Sequence, residues 1–164
     1  MRYLDSKFKR FWKQYLFQCG LATAAIALIL LILEIFVHTA IIASLGATAF
    51  VIFTLPHLYP ARPKVLVGGY VWGTLSGVLC AWGAQQISGS FAESYVLVLC
   101  GACAVGISSF LMVCANHEHP PAAGIALALV LNEWDIMTLA FIFAAVGVML
   151  VLKEILKVHL VDLR

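Results

Sequence analysis

The chain has 164 residues, 63% of them hydrophobic and 11% charged, with a net charge of +2. A soluble domain carries about 25% charged residues, so the composition excludes one and points to an integral membrane protein. The length allows one compact membrane domain, and so small a net charge names no partner, because the placement of charge along a membrane chain matters more than its sum.

Residues 1–16 come first. Leu4, Phe8, Phe11, Trp12, Tyr15 and Leu16 recur at helical spacing, while Lys7, Lys9, Arg10 and Lys13 fill the other positions. That pattern predicts an amphipathic, basic helix lying in the headgroup region. There is no apolar run with a cleavage site here, and the segment is not the Ser- and Arg-rich, acid-poor type. Neither a secretory leader nor a transit peptide is expected, which favours a bacterial inner (plasma) membrane.

Six apolar elements follow. Residues 17–37 read as a full span. Residues 39–55, "TAIIASLGATAFVIFTL", carry no charge but are expected to break at Ser44–Gly46. Residues 65–87 form a span rich in Gly (68, 69, 73, 77 and 83), of which 68, 69, 73 and 77 read as close helix packing in lipid. Residues 94–115 form another. A polar cluster, "NHEH" at 116–119, precedes a short element, 120–132, and the last span covers roughly 136–152. The five cysteines lie in or beside these segments, including Cys100 and Cys103 as a CxxC. Ionising a thiol in an apolar medium is costly, so they read as packing residues, with no disulfide, metal or cofactor expected.

The chain can be threaded with four spans and two re-entrant segments, or with six crossings. Six crossings put all ten Lys and Arg on one side, with Glu34, Glu93, Glu133 and Asp135 on the other. The positive-inside rule therefore selects six, with both termini cytoplasmic. The fold expected is an all-α membrane protein in one transmembrane domain, 17–156. Its six elements form a 3+3 inverted repeat, about 17–87 and about 94–156, with a cytoplasmic tail at 157–164. The middle element of each half, 39–55 and 120–132, is broken or half-length, and such paired segments point to the binding site of repeat transporters.

The cluster carries the chemistry. Counting back from Trp134 as an interfacial anchor, 120–132 is about 20 Å of helix. Asn116, His117, Glu118 and His119 then lie at depth, where irregular backbone survives only if protein buries it or it lines a cavity. Pro120-Pro121 marks a helix start. Helix N-termini offer unpaired N–H groups and partial positive charge, hence an anion site. His117 and His119 add donors, and the break at Ser44–Gly46 gives a second N-terminus with Ser44 and Thr48 hydroxyls. Glu118 reads either as a proton site or as a partner of Lys64 or another basic residue, with the structural pairing favoured. "HEHPP" lacks the spacing of a zinc-protease HExxH.

The stretch "NHEHPPAAGIALAL", with "SLGATAFVIF" and "PARPKVLVGGY", resembles the HPP family of small integral membrane proteins over roughly residues 20–152. His119, Pro120 and Pro121 match its His-Pro-Pro signature. Tyr70 stands where the family pattern has a His after the paired Gly, and the Gly-Ala-Thr expected after the signature appears as Ala123-Gly124-Ile125. The family is commonly described with four transmembrane helices, and some relatives are implicated in nitrite transport. The resemblance implies a channel or secondary transporter for a small monovalent anion, nitrite first. Ser44, Gly46, Thr48, Asn116, His117, His119, Pro120 and Pro121 are the candidate substrate residues. No enzymatic activity and no nucleic-acid partner are expected; the lipid bilayer and a homo-oligomer are. Two alternatives stay open: an intramembrane enzyme or metal-binding protein using His117, Glu118 and His119, and a non-transporting interaction subunit docked through Gly-rich faces.

Overall fold

The computed structural model describes residues 12–24, 39–87 and 93–163. Residues 12–24 are helical (α1). They are followed by α2 (Thr39–Thr54), a 3-10 turn at Tyr59–Ala61, α3 (Pro63–Ile87), α4 (Glu93–Cys114), α5 (Pro120–Leu131) and α6 (Ile136–Leu156). Among the described residues there is no strand. Pro63–Ile87, Ser94–Cys114 and Ile136–Leu156 are long and apolar enough to cross a membrane, while α2 and α5 are shorter. Most of the expected interfacial helix, and residues 25–37 of the expected span 17–37, lie outside the described residues. Within them α1 passes the expected boundary at residue 16 without interruption.

Local chemistry sets the helix ends. Pro63 and Pro120 each occupy a first helical position, where a missing N–H costs nothing. Asp135 caps α6: its carboxylate accepts the Thr138 N–H at 2.8 Å, and Thr138 Oγ1 accepts the Asp135 N–H at 3.4 Å. At the end of α4, Asn116 takes the left-handed conformation (φ 54°). The His117 N–H then reaches back to the Met112 carbonyl at 2.8 Å, and the Asn116 N–H to the Val113 carbonyl at 3.2 Å. This is the Schellman closure, and Asn is the non-glycine residue best suited to it.

The expected break at Ser44–Gly46 is absent, for α2 runs through both residues. Ser44 Oγ donates to the Ala40 carbonyl one turn back, at 2.9 Å, and Gly46 keeps a negative φ. The small residues serve packing instead. A Cβ on Gly124 of α5 would collide with Ser44 Oγ, so the two helices touch there.

Contacts fix the directions of the helices. Gly124 meets Ser44, and His119 bonds Thr48, so α2 and α5 run antiparallel. Gly69, Gly73 and Gly77 of α3 lie against His119, Ala122 and Ala126 in that order, so α3 and α5 run parallel. A Cβ on Gly77 would stand 2.9 Å from the Ala126 carbonyl oxygen, and one on Gly73 would overlap the Ala122 carbonyl. The glycine row thus lets two backbones touch, which is how helices gain packing energy where lipid removes the hydrophobic drive. The close packing expected of Gly68, Gly69, Gly73 and Gly77 is observed, while Gly83 faces open space.

One end of the bundle, the proline end, gathers the close of α2, the 55–62 loop, the start of α3, the α4–α5 link and the chain after α6. Lys153 Nζ donates to the Ala61 carbonyl at 2.6 Å, the His57 N–H donates to Asp162 Oδ1 at 3.0 Å, and the Leu163 N–H donates to the Thr54 carbonyl at 3.0 Å. The 55–62 loop and the C-terminal segment therefore share an end, as alternating crossings require and re-entrant threading does not. The chain after α6 packs back on the bundle: Leu160 and Leu163 are buried, and buried Gln18 of α1 donates to the carbonyls of Phe53 and Val161 at 2.6 and 2.8 Å.

The core centres on α5, whose buried residues Ala122, Ile125, Ala126, Ala128, Leu129 and Val130 leave no polar face. It packs against α3, α4 and α2. Large apolar side chains point outward instead, among them Leu99 and Phe110 on α4 and Ile136, Val151 and Ile155 on α6. Large apolar side chains on the outer faces suit a bundle solvated by lipid.

Candidate functional site

The α4–α5 link meets α3 at Gly68 and Gly69, and Gly69 is six residues past Pro63. At 1.5 Å per residue the link lies about 9 Å in from the start of α3. The polar cluster is therefore set into the bundle and roofed by the 55–62 loop.

His119 is fully buried. Its Nδ1 is 2.9 Å from the Pro60 carbonyl, and its Nε2 is 2.9 Å from Thr48 Oγ1. Thr48 Oγ1 is in turn 2.7 Å from the Tyr70 hydroxyl, also buried. A carbonyl can only accept, so Nδ1 carries the proton and neutral His119 accepts at Nε2. Thr48 must then spend its one hydrogen on Nε2, and Tyr70 must donate to Thr48. The result is a one-way chain, Tyr70 to Thr48 to His119 to Pro60, that joins α2, α3, the α5 start and the roofing loop. Every ring nitrogen is used. The Tyr70 ring also packs against the imidazole, with centroids 5.7 Å apart.

His117 is placed differently. It is half-buried, and its ring lies over Gly68, where a Cβ would stand 2.5 Å from Nδ1. Trp72 Nε1 donates to that Nδ1 at 3.3 Å. An indole N–H can only donate, so neutral His117 keeps its proton on Nε2.

Around them, the Tyr59 hydroxyl donates to the Asn116 carbonyl at 2.5 Å, and the Arg62 guanidinium lies 5.6 Å from the Tyr59 ring centroid. Desolvation and the neighbouring Glu118 carboxylate raise the Tyr59 hydroxyl above its ordinary pKa. The expected Glu118–Lys64 ion pair is not formed among the described residues, whose ion pair is Lys157–Glu154; Glu118 turns to Tyr59.

The backbone donors expected at the α5 N-terminus are not there. Pro120 and Pro121 have no N–H, and the Ala122 N–H is spent on the His119 carbonyl at 2.9 Å. The first turn contributes its dipole and no free donor. Of the candidate residues, Thr48, His117, His119, Pro120 and Pro121 come together with the Asn116 backbone. Ser44 and Gly46 lie further along α2, with the Ser44 hydroxyl engaged within its own helix. Sequence reasoning missed Tyr59, Trp72 and Tyr70 as partners of the link. Only Tyr70 carried a signal, as the departure from the family pattern beside the paired Gly.

Among the described residues no three His, Cys, Asp or Glu side chains converge as a metal would need. The described cysteines are free thiols. At the opposite end, where α5 stops, a cleft of about 940 Å³ opens between α3, α4 and the 132–134 turn, lined in part by Trp82, Gln85, Leu97, Asn132 and Trp134.

Comparison with curated proteins and with solved structures finds no match. The family described as HPP, transmembrane region, matches residues 8–160 of the 164. That span takes in every described helix and the link on which His119, Pro120 and Pro121 stand. The chain therefore belongs to the HPP transmembrane family and is a membrane protein.

Proposed function

We propose that the chain is a transport protein for a small polar solute, a monovalent anion first, working as a channel or secondary transporter rather than as an enzyme. The observation that carries this reading is the pairing of the two short helices. α2 and α5 pack antiparallel at the centre and are joined by the Thr48–His119 hydrogen bond. Paired short elements meeting inside a bundle mark the binding region of inverted-repeat transporters.

The contact pattern supports the same symmetry. A twofold exchanging α2 with α5 and α3 with α6 turns the α3–α5 contact into α6–α2, and both contacts exist. It leaves α2–α5 and α3–α6 unchanged, and these exist too.

Lys13, Arg62, Lys64, Lys153 and Lys157 cluster toward the proline end, while Glu133 and Asp135 lie at the other. On the positive-inside rule the proline end and both termini face the cytoplasm of an inner membrane. The basic rim raises the local anion concentration there. The half-length central helices and outward apolar faces favour assembly with further copies of the chain.

Proteoliposomes test the proposal. Purified protein is expected to admit nitrite, with formate, nitrate and chloride as comparison ions. No flux of any of them under an imposed gradient would sink it. Sidedness is read separately: in a chain freed of its native cysteines, Pro63→Cys should label from the cytoplasmic face and Trp134→Cys from the other.

A further inference from the structure

The two histidines of the link present opposite chemistry. His119 has no capacity left: its Nδ1 proton goes to the Pro60 carbonyl and its Nε2 lone pair to Thr48. It is buried on all sides. A solute could reach it only by breaking the bonds that join α2, α3 and α5. His117 has one ring nitrogen satisfied and one open. Trp72 occupies Nδ1 and thereby fixes the proton on Nε2, which has no hydrogen-bond partner among the described residues.

The ring's placement also sets its aim. The atoms closest to a Cβ on Gly68 would be Cγ, Nδ1 and Cδ2, so these lie against α3 and Nε2 is on the far edge. The residue is half-buried, so that edge is reachable. The Asn116 left-handed turn immediately before it holds the backbone, and the Tyr59 hydroxyl anchors that turn from the roofing loop. Gly68 is required for the arrangement, since any side chain there would displace the ring.

Within the transport reading, on which this rests, we propose that His117 is the solute-contacting residue of the link, its Nε2–H donating to the transported species, and that His119 is a positioning residue. The ligand class follows from the donor: a small hydrogen-bond acceptor, an oxyanion such as nitrite or formate. Trp72 and Gly68 hold the donor in place. Glu118, beside it, sets a like charge near the path and so limits how tightly an anion is held.

Two measurements on the full-length protein test this. In proteoliposomes, His117→Ala should raise the half-saturation concentration for nitrite about ten- to hundredfold, the usual effect of losing a hydrogen bond to a charged group, in a protein that still folds. His117→Gln, which keeps an N–H donor, should recover part of the loss. Glu118→Gln should lower half-saturation. In detergent, imidazole ¹⁵N shifts on nitrite titration should move for His117 and stay fixed for His119. A transporting wild type with unaltered His117→Ala kinetics would overturn the assignment and leave the transport reading standing. A wild type that moves no anion would remove the transport reading. A titration shifting His119 alone, or neither residue, would overturn the assignment without reference to flux.

Discussion

Replacing Thr48 by Val keeps the shape of the side chain and removes one hydroxyl. That hydroxyl serves two buried partners, donating to His119 Nε2 and accepting from Tyr70. The variant strands both. A stranded buried polar group costs about 1–3 kcal/mol, which for two sums to about 2–6. Interhelical hydrogen bonds in bilayers average about 0.6 and reach about 1.7 kcal/mol, because the unfolded state in lipid also finds partners. Two such bonds sum to about 1.2–3.4 kcal/mol. The ranges overlap near 2–3 kcal/mol, and that loss is expected in SDS-titration unfolding from mixed micelles. Tyr70→Phe removes one bond and should cost less. In the Thr48→Val background it removes a group already stranded, so it should cost nothing or restore stability. The cycle should therefore close with a coupling of about 1–2 kcal/mol. Additivity within about 0.5 kcal/mol, or a Thr48→Val protein as stable as wild type, would refute the one-way chain.

Three further outcomes are expected. Gly73→Ala should destabilise by about 1–3 kcal/mol, the cost of overpacking, because its Cβ meets a backbone carbonyl that cannot turn aside. Gly83→Ala and Gly106→Ala face open space and should be neutral or stabilising by up to about 1 kcal/mol in the same assay. Thr138, through its backbone N–H first, holds the Asp135 carboxyl below the usual carboxylate range. A group depressed in the folded state stabilises above its unfolded pKa, near pH 4, and the contribution is lost as pH falls through the folded value. Asp135→Asn keeps a capping oxygen but not the charge, so it should be somewhat less stable than wild type at neutral pH, lack that acid-side decline and converge with wild type in acid. Deleting residues 160–164 exposes the sites of Leu160 and Leu163 and removes the donor to the Thr54 carbonyl. The melting temperature should drop by something on the order of 10 °C.

Local chemistry made much of this fold legible. Pro120-Pro121 announces a helix start, the glycine row announces close packing, and the lysines and arginines announce which loops share a side. The site was legible as a location but not as a set of partners. Thr48, Tyr70 and His119 lie on three elements, and nothing local ties a threonine to a histidine 71 positions on. Two further features have readable signals. Asn116 directly after an apolar run is the residue most able to close a helix without glycine, so its backbone role is available from sequence. Leu160 and Leu163 are apolar residues in the tail segment, which marks them for packing. The break at Ser44–Gly46 failed because a serine hydroxyl satisfied within its own helix removes the reason to interrupt it.

The shortness of α5 bears on how the chain is made. Twelve residues give about 18 Å of helix against hydrocarbon about 30 Å thick, so lipid alone cannot hold it. It needs the α3 glycine row beside it and the Thr48 hydroxyl at its start. A chain synthesised from its N-terminus supplies both before α5 emerges. The order of elements is thus itself an assembly instruction: a circular permutant that delivers α5 ahead of α2 and α3 would present a segment with nowhere to lodge, although its finished fold would be the same.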